Sequence, residues 1–436
     1  MSTQNKFGRK RWIILVLFGM IGQIAWSVEN MYFNLFVFDT ISKNLEAITL
    51  MVQLSGVMAT VATLISGALS DKAGNRRSFI SIGYIIWGIS VALFGFISPE
   101  LTEKIFGLNG NSIITVTLVM VIAGDCIMTL FGSTANDAAF NAWVTDNTES
   151  SYRGTVEGVI AILPLIAMLI VAGGFGILVS IIGYSALFLS LGILISLCGV
   201  FGIFFVNDSE SLEKNGSMKD ILYGFKPSVI KENKPFNISL VLILIYGIAC
   251  QIFMPYLIIY MRTYLKFSDV EYSVIFGLAI ILGAVVNLYL TRLSDRKNKQ
   301  TMLYIGAGVF ALGLFAMYFA KGLEKIPTLI LFGIAGFIMI CGYIFISALC
   351  GSLIRDYTPS GEVGKLQGVR MVFSVLIPMI AGPLIGNAIN KAKNIPLLDA
   401  GADAMTTSYI PAPEIFLAAG LCSALLFAVI PLLKKK

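Results

Sequence analysis

The sequence contains no histidine, and only 13% of its 436 residues are charged. Without histidine the protein lacks the commonest metal ligand and the usual proton carrier near neutral pH, so any proton transfer depends on carboxylates. The six cysteines lie inside apolar stretches without metal-ligand spacing: Cys126, Cys198, Cys250, Cys341, Cys350 and Cys422. We therefore expect no disulfide, no metal site and no cofactor.

Signatures of catalysis are equally scarce. The chain has no Ser–His or Cys–His pairing, no phosphate-binding glycine loop and no polar stretch long enough for a soluble catalytic domain. Its net charge of +6 is not gathered into a basic patch with interleaved aromatic residues, which argues against nucleic acid as a partner. We do not expect an enzyme.

Long apolar runs dominate the chain instead, with 57% hydrophobic residues and a mean hydropathy of +0.85. A run of about 18 or more such residues can cross the roughly 30 Å hydrocarbon core of a bilayer as a helix. The sequence therefore predicts an all-α membrane protein with 12 transmembrane helices, at residues 12–38, 46–68, 79–98, 113–140, 155–181, 184–206, 237–262, 270–290, 301–320, 326–353, 365–388 and 412–433.

The distribution of lysine and arginine predicts the orientation of these helices. With the amino terminus inside, the inner segments carry 23 of the 31 basic residues. Because basic residues accumulate on the cytoplasmic side, we expect both termini in the cytoplasm of a multi-pass protein of the plasma or inner membrane. The first apolar run is too long for a cleaved signal peptide.

An internal repeat indicates two related halves. The segment "DNTESSYRGTVEGV" at 146–159 matches "DYTPSGEVGKLQGV" at 356–369 in six positions, and "LSD" recurs at 69–71 and 293–295. We therefore predict two pseudo-symmetric six-helix bundles, 1–206 and 237–436, joined by a cytoplasmic linker, 207–236. Two such bundles can rock about a shared site at the midplane, which gives alternating access.

The linker contains apolar residues that alternate with lysines: Ile221, Leu222, Phe225, Val229 and Ile230. This pattern favours a short amphipathic helix on the inner face of the membrane. A plain solvated linker is the alternative.

A charged turn, "GALSDKAGNRR" at 67–77, separates the second and third helices. Its glycines suit close helix approach and a tight turn. The turn resembles the loop signature of the major facilitator superfamily, which implies the major facilitator fold and a gating role for this turn and its weaker second copy. We call the residues concerned the gating motif: Gly67, Asp71, Gly74, Arg76, Arg77, Asp295 and Arg296. We expect Arg76 or Arg77 to pair with Asp146 or Glu149.

Polar residues form a stripe in the first helix. Gln23, Trp26, Asn30 and Asn34 follow one another at helical spacing, and Glu29 lies beside them. A tryptophan ring with amides suits a polar, hydroxyl-rich solute, so we predict that this stripe borders a binding cavity. Helix packing held by amide hydrogen bonds is the alternative.

The fourth helix carries Asp125 near mid-span, with Asn136 three turns later on the same face. Ionisable groups at membrane depth are costly and mostly functional. We therefore assign Asp125 and Glu29 to coupling with H⁺ or Na⁺, and Asn136 to the solute. Structural carboxylates bonded to neighbouring helices are the alternative.

The seventh helix reads "YGIACQIFMPYLIIY", where Pro255 predicts a break. Broken helices commonly line transport sites, so Gln251 and Tyr256 are further solute-binding candidates. The aromatic stripe that includes Tyr256 also suits helix packing.

Three functions compete. The stretch "QIAW" at 23–26 with the amides after it resembles sucrose and glycoside cation symporters, which favours H⁺- or Na⁺-coupled uptake of a small polar solute such as a sugar. A proton-coupled drug antiporter is the alternative, although the Gly-Pro signature of that group is absent from the fifth helix. A membrane enzyme or receptor-like protein has the least support. We expect a monomer in the lipid bilayer.

Overall fold

The computed structural model describes residues 8–148, 153–209, 223–294, 298–322, 324–359, 363–397 and 409–433. This part of the chain is almost wholly helical. Its one sheet is a short antiparallel pair, Ile395–Pro396 with Tyr409–Ile410.

The first half of the chain forms the helical segments of spans one to six. They are Arg9–Val28, Glu29–Phe33, Asn34–Phe36 and Val37–Ile41 in span one, Leu45–Ala73 in span two, Arg76–Phe94 in span three, a short helix Pro99–Phe106, then Asn111–Gly132, Ser133–Phe140 and Asn141–Asn147 in span four, and Arg153–Ile170, Val171–Phe175 and Gly176–Phe205 in spans five and six.

The second half forms spans seven to twelve. They are preceded by a short helix, Pro227–Glu232, and consist of Lys234–Phe253, Met254–Tyr256 and Leu257–Thr263 in span seven, Asp269–Ser294 in span eight, Lys299–Phe319 in span nine, Lys325–Tyr357 in span ten, Val363–Met371, Val372–Leu376 and Ile377–Lys393 in span eleven, and Glu414–Ala424, Leu426–Val429 and Ile430–Leu432 in span twelve.

A glycine separates spans five and six. Among the described residues, eleven helical segments are apolar and long enough to cross a membrane, and one of them, Ile162–Phe205, is 44 residues long. Gly183 breaks it with φ 75° and ψ 169°, a conformation open almost only to glycine. At about 1.5 Å per residue the segment is long enough for two crossings, which gives the twelve predicted spans.

Stretches of π-helix interrupt four spans. Within the described chain they are Glu29–Phe33, Val37–Ile41, Ser133–Phe140, Val171–Phe175 and Val372–Leu376. Because π-helical bonds run from residue i to i+5, each insert rotates the following side chains away from the α-helical pattern. Such inserts are frequent at functional sites.

Contacts divide the chain into two units. Unit one comprises Met1–Glu29, Val57–Val171 and Leu178–Ile221, and unit two comprises Asn30–Gly56, Ala172–Ile177 and Leu222–Lys436. The boundaries in spans one and five coincide with the starts of π-helical inserts. Since the units cut through spans one, two and five, the division at residues 206 and 237 stays a prediction.

Each unit has an aromatic core. In unit one, Phe18 packs edge-to-face on Tyr84, and Phe140 stacks with Trp143. In unit two, Tyr260, Phe332 and Phe416 pack together with centroid separations of 5.0 to 6.0 Å.

The end of the predicted linker packs on unit two. Val229 is buried in a cluster with Phe236, Leu240 and Leu366, whereas Phe225 and Ile230 are exposed. Ile221 and Leu222 lie outside the described residues. The helix here, Pro227–Glu232, has only six residues. The described part of the predicted amphipathic face is therefore split between the core and the surface.

Candidate functional site

An aromatic–amide cluster, formed by Trp26, Tyr84, Trp87 and Asn136, lies inside unit one. The ring centroids of Trp26 and Trp87 are 4.9 Å apart, and those of Tyr84 and Trp87 are 5.4 Å apart. Asn136 donates through Nδ2 to the Tyr84 hydroxyl at 2.6 Å and accepts through Oδ1 from Trp26 Nε1 at 3.4 Å. Tyr84 donates in turn to the Phe18 carbonyl at 2.8 Å. The amide of Asn136 therefore fixes two rings.

Span four provides a flat surface for the indoles at Gly132. A Cβ atom at this position would lie 2.7 Å from Trp87 and 2.9 Å from Trp26. Trp87 and Asn136 are buried, whereas Trp26 and Gln23 are partly exposed. Trp26 is thus a ring of the cluster with exposed surface, and Asn136 accepts from its indole N–H.

The two predicted coupling carboxylates lie on neighbouring spans. The Glu29 carboxylate accepts from the Thr129 hydroxyl at 3.1 Å, and both residues are buried. Thr129 is four residues after Asp125, so the two share a face of span four. Asp125 is 2% exposed. Spans one and four therefore bring both carboxylates to one region of unit one. Among the described residues, no group of three or more His, Cys, Asp or Glu could hold a metal ion.

A π-helical insert interrupts the predicted polar stripe at Glu29. The π-helical insert Glu29–Phe33 changes the register, so Asn30 is exposed and Asn34 is buried. Asn34 donates through Nδ2 to the Asn30 carbonyl at 3.0 Å, and its buried Oδ1 has no hydrogen-bond partner within the described chain. The sequence prediction assumed an uninterrupted α-helix here, and the solute-binding role of Asn30 and Asn34 stays a prediction.

Span seven breaks where Pro255 predicts it, with a 3₁₀ turn at Met254–Tyr256. Tyr256 is fully buried. Its hydroxyl lies 2.7 Å from Thr49 Oγ1 and donates to the Pro383 carbonyl at 2.9 Å. These contacts are internal to unit two. These contacts favour the helix-packing alternative for Tyr256.

Gln251, the other candidate on span seven, is partly exposed. A Cβ atom at Gly382 would lie 2.3 Å from Gln251 Cβ, so spans seven and eleven approach closely at this level. The carboxamide of Gln251 remains a candidate ligand.

The two glycines of the gating motif, Gly67 and Gly74, differ from each other in their surroundings. Gly74 adopts φ 61°, and its N–H donates to the Ser70 carbonyl at 3.0 Å, which confirms the predicted tight turn. At Gly67, no described atom lies within 4 Å of an added Cβ. The predicted close approach at Gly67 is therefore wrong for the described residues.

Arg76 is the centre of the gating motif. Its guanidinium, only 6% exposed, donates through Nε to Asp146 at 3.0 Å and through Nη1 to Ser70 Oγ at 2.6 Å. Nη2 pairs with Asp71. The backbone N–H of Arg76 donates to Asp208 at 2.9 Å. The predicted pairing of Arg76 with Asp146 is confirmed, and three segments of unit one meet at this side chain.

Arg77, the neighbour of Arg76 in the motif, is exposed. The Arg77 side chain donates to the Ile203 carbonyl, and its backbone N–H donates to Asp208 at 2.9 Å. Asp295 and Arg296 lie outside the described residues, as does Glu149.

We expect Arg76→Leu to destabilise the protein by on the order of 2 kcal/mol, because it leaves Asp146 and Asp71 without their cation in a partly buried place. Thermal unfolding of the purified protein in detergent measures this. Arg77→Leu is the matched control and should lower the melting temperature by less than half as much.

The double variant Arg76→Leu/Asp146→Asn should recover part of the loss, since it removes the unpaired carboxylate as well. Equal melting temperatures for Arg76→Leu and Arg77→Leu would contradict the structural role of the buried guanidinium.

A charged cluster in unit two links the ends of spans one and seven. Arg262 pairs with Asp39 and, at 3.2 Å, with Asp269, and Lys43 lies 3.8 Å from Asp39. Burial lowers the pKa of Lys43, while Asp39 opposes that shift. These ion pairs hold the carboxyl-terminal end of span one against spans seven and eight.

Sequence reasoning missed several residues of these sites: Tyr84, Trp87, Thr129, Asp208, Asp39, Arg262 and Asp269. Tyr84 and Trp87 stand three residues apart in a mostly apolar span, a spacing that places two polar-tipped rings on one face. That signal was present in the sequence. Asp39, one partner of Arg262, comes from a distant segment and leaves no local pattern, whereas Asp269 lies seven residues further along the chain.

Twelve apolar spans, buried carboxylates within them and an aromatic–amide cluster between helices define a polytopic membrane transporter. The chain matches the family model of the Major Facilitator Superfamily over residues 12–383. It belongs to this superfamily and is a transporter, not an enzyme. A search of curated proteins returns no match.

Solved structures of transporters have a similar fold. The nucleoside transporter NupG shares 15% identity at a TM-score of 0.66, and a mutant of it 13% at 0.70, each covering 97% of this chain and 99% of that one. A D-xylose-proton symporter shares 14% identity at a TM-score of 0.69, covering 98% of this chain and 99% of its own. Identities this low show the fold alone.

Proposed function

We propose that the protein is a secondary active transporter that takes up a small polar solute, such as a sugar or glycoside, together with H⁺ or Na⁺. The observation that carries this proposal is the position of an accessible indole, Trp26, three residues before a buried carboxylate, Glu29, that bonds to the span of Asp125. Solute contact and ion coupling would then share one bundle.

The chemistry of the aromatic–amide cluster favours a ring with an apolar face and hydroxyl groups. An indole stacks on such a face, and nearby amides donate to and accept from hydroxyls. Gln23 offers a partly exposed amide, and Trp87 Nε1 is a buried donor with no hydrogen-bond partner in the described chain.

The buried carboxylates favour coupling to a cation. An ionised carboxylate in a low-dielectric interior is costly unless a cation or proton neutralises it. With no histidine in the chain, Asp125 and Glu29 are the proposed carriers. Occlusion of solute would then require an accompanying H⁺ or Na⁺, which is the condition for symport.

Alternating access requires ion pairs that form in one conformation and break in the other. We look for them at the end of span one and in the residues that follow it. The pairs Arg262–Asp39 and Lys391–Glu46, the latter at 2.6 Å, are candidates for such contacts. The charge distribution of the loops would place them on the outer face of the plasma or inner membrane.

Uptake into proteoliposomes tests the proposal. Sugars, glycosides and nucleosides are offered with an imposed proton gradient, with a sodium gradient and with neither. We expect accumulation of a sugar or glycoside under one of the two cation gradients. If only nucleosides accumulate, the solute is a nucleoside and not a sugar or glycoside. If accumulation does not depend on either gradient, symport is rejected.

The alternative is a proton-coupled efflux antiporter for drugs or other solutes. It predicts that the protein raises the resistance of cells to lipophilic cations and that proton influx releases solute from preloaded vesicles. The partly exposed indole of Trp26 suits a sugar as well as a lipophilic cation. The resistance assay therefore separates the two functions.

A further inference from the structure

A cavity of about 320 Å³ opens at the amino-terminal end of span one, in unit one. It is formed by the start of span one, the end of span four and the end of span six, and its polar lining includes Lys10, Arg11, Asn147 and Asn207. Arg11 precedes Trp26 by fifteen residues, or about 22 Å along a helix, so the cavity lies apart from the proposed solute site.

The lining is positively charged on balance. Lys10 and Arg11 are exposed and form no ion pair with any described residue. In the orientation that satisfies both atoms of its amide, Asn207 accepts from Lys10 Nζ at 3.3 Å, which leaves the charge of Lys10 uncompensated. Asp208, the one carboxylate among the described residues of the lining, already accepts the backbone N–H groups of Arg76 and Arg77, each at 2.9 Å.

The cavity adjoins surface that faces lipid. Trp143 lines it and donates through Nε1 to the Asn207 carbonyl at 2.7 Å, and Phe205 forms another wall. Phe204 is 71% exposed and Ile13 is 48% exposed on the helices that flank the opening. A ligand with a polar anionic head and apolar chains fits this combination, because the head meets cations and amides while the chains lie on exposed apolar side chains.

We infer that this cavity binds the phosphate-bearing head of an anionic phospholipid. Lys10 and Arg11 pair with the phosphate. Basic cavities between membrane helices on the cytoplasmic side are suited to such heads. The positive-inside pattern places the cavity on that side, where anionic lipids give the surface its negative potential. The inference does not depend on the identity of the transported solute.

Lipid binding to the purified full-length protein in detergent tests the inference. Phosphatidylglycerol and phosphatidylcholine are titrated separately, and bound lipid is counted by native mass spectrometry. Lys10→Gln and Arg11→Gln should each weaken phosphatidylglycerol binding by about fivefold, since one cation near a lipid phosphate contributes about that factor. Arg9→Gln removes the same charge from the same helical turn without touching the cavity and should weaken binding by less than about twofold.

Soluble probes distinguish the source of the phosphate. sn-Glycerol 1-phosphate and inorganic phosphate should not displace phosphatidylglycerol, because they lack the chains that contact Phe204 and Ile13. Displacement by either would overturn the lipid assignment. Equal effects of Arg9→Gln, Lys10→Gln and Arg11→Gln, or equal binding of both lipids, would overturn the site. Size-exclusion profiles show whether Lys10→Gln or Arg11→Gln is misfolded. If one of them is, the other one tests the site.

Discussion

The Asp125→Asn variant is expected to bind and exchange solute but to lose concentrative uptake. Asparagine has the shape of aspartic acid and resembles its neutral form, so the cycle of solute binding and exchange can continue without a cation. The accumulation ratio of solute should fall to about one. For the wild type, one coupled charge at 100 mV supplies about 2.3 kcal/mol, which permits a ratio of roughly 50.

Paired flux measurements in proteoliposomes check this expectation. Uptake against a gradient reports coupling, and exchange of labelled for unlabelled solute reports binding and conformational cycling. Glu100→Gln is the matched control, because Glu100 is an exposed carboxylate on the short helix Pro99–Phe106. It should leave both fluxes unchanged.

Glu29→Gln tests which of the two buried carboxylates, Glu29 or Asp125, couples solute uptake to the cation. Glutamine keeps an oxygen that accepts from Thr129, so the link between spans one and four survives. If Asp125→Asn still accumulates solute while Glu29→Gln does not, Glu29 is the coupling group and our assignment of Asp125 is incorrect. If both variants accumulate solute normally, both carboxylates are structural.

The number and order of the spans could be predicted because hydropathy and charge report them directly. The same holds for the turn at Gly74 and the break at Pro255, where one residue type imposes the local backbone. Arg76 could be paired with Asp146 because two loops of the same side carry opposite charges.

The faces of the helices were less predictable. A π-helical insert at Glu29–Phe33 interrupts the α-helical pattern between Trp26 and Asn34, and no residue type in that segment predicts it. The insert depends on packing between spans, which periodicity within one span does not contain. The use of Asn136 to orient Trp26 and Tyr84 depends on tertiary packing in the same way.

Replacement of Trp26 should have the second large effect. Trp26→Ala removes the accessible ring of the aromatic–amide cluster, and we expect solute affinity to fall roughly 30-fold, or about 2 kcal/mol, through lost stacking and buried apolar area. Trp26→Phe keeps a ring but loses the bond to Asn136, so a loss of about fivefold is expected. Equilibrium binding of labelled solute measures both.

Trp12→Ala is the control for Trp26→Ala, since Trp12 stands on the same helix fourteen residues earlier, or about 21 Å away. It should leave solute affinity unchanged. Solute affinity should be lowest for Trp26→Ala, intermediate for Trp26→Phe and highest for the wild type. This order is expected only if the ring itself contacts the solute. If Trp26→Ala lowers the melting temperature but binds solute normally, the cluster is a packing element of unit one, and the solute site must be sought among Gln23, Asn34 and Gln251.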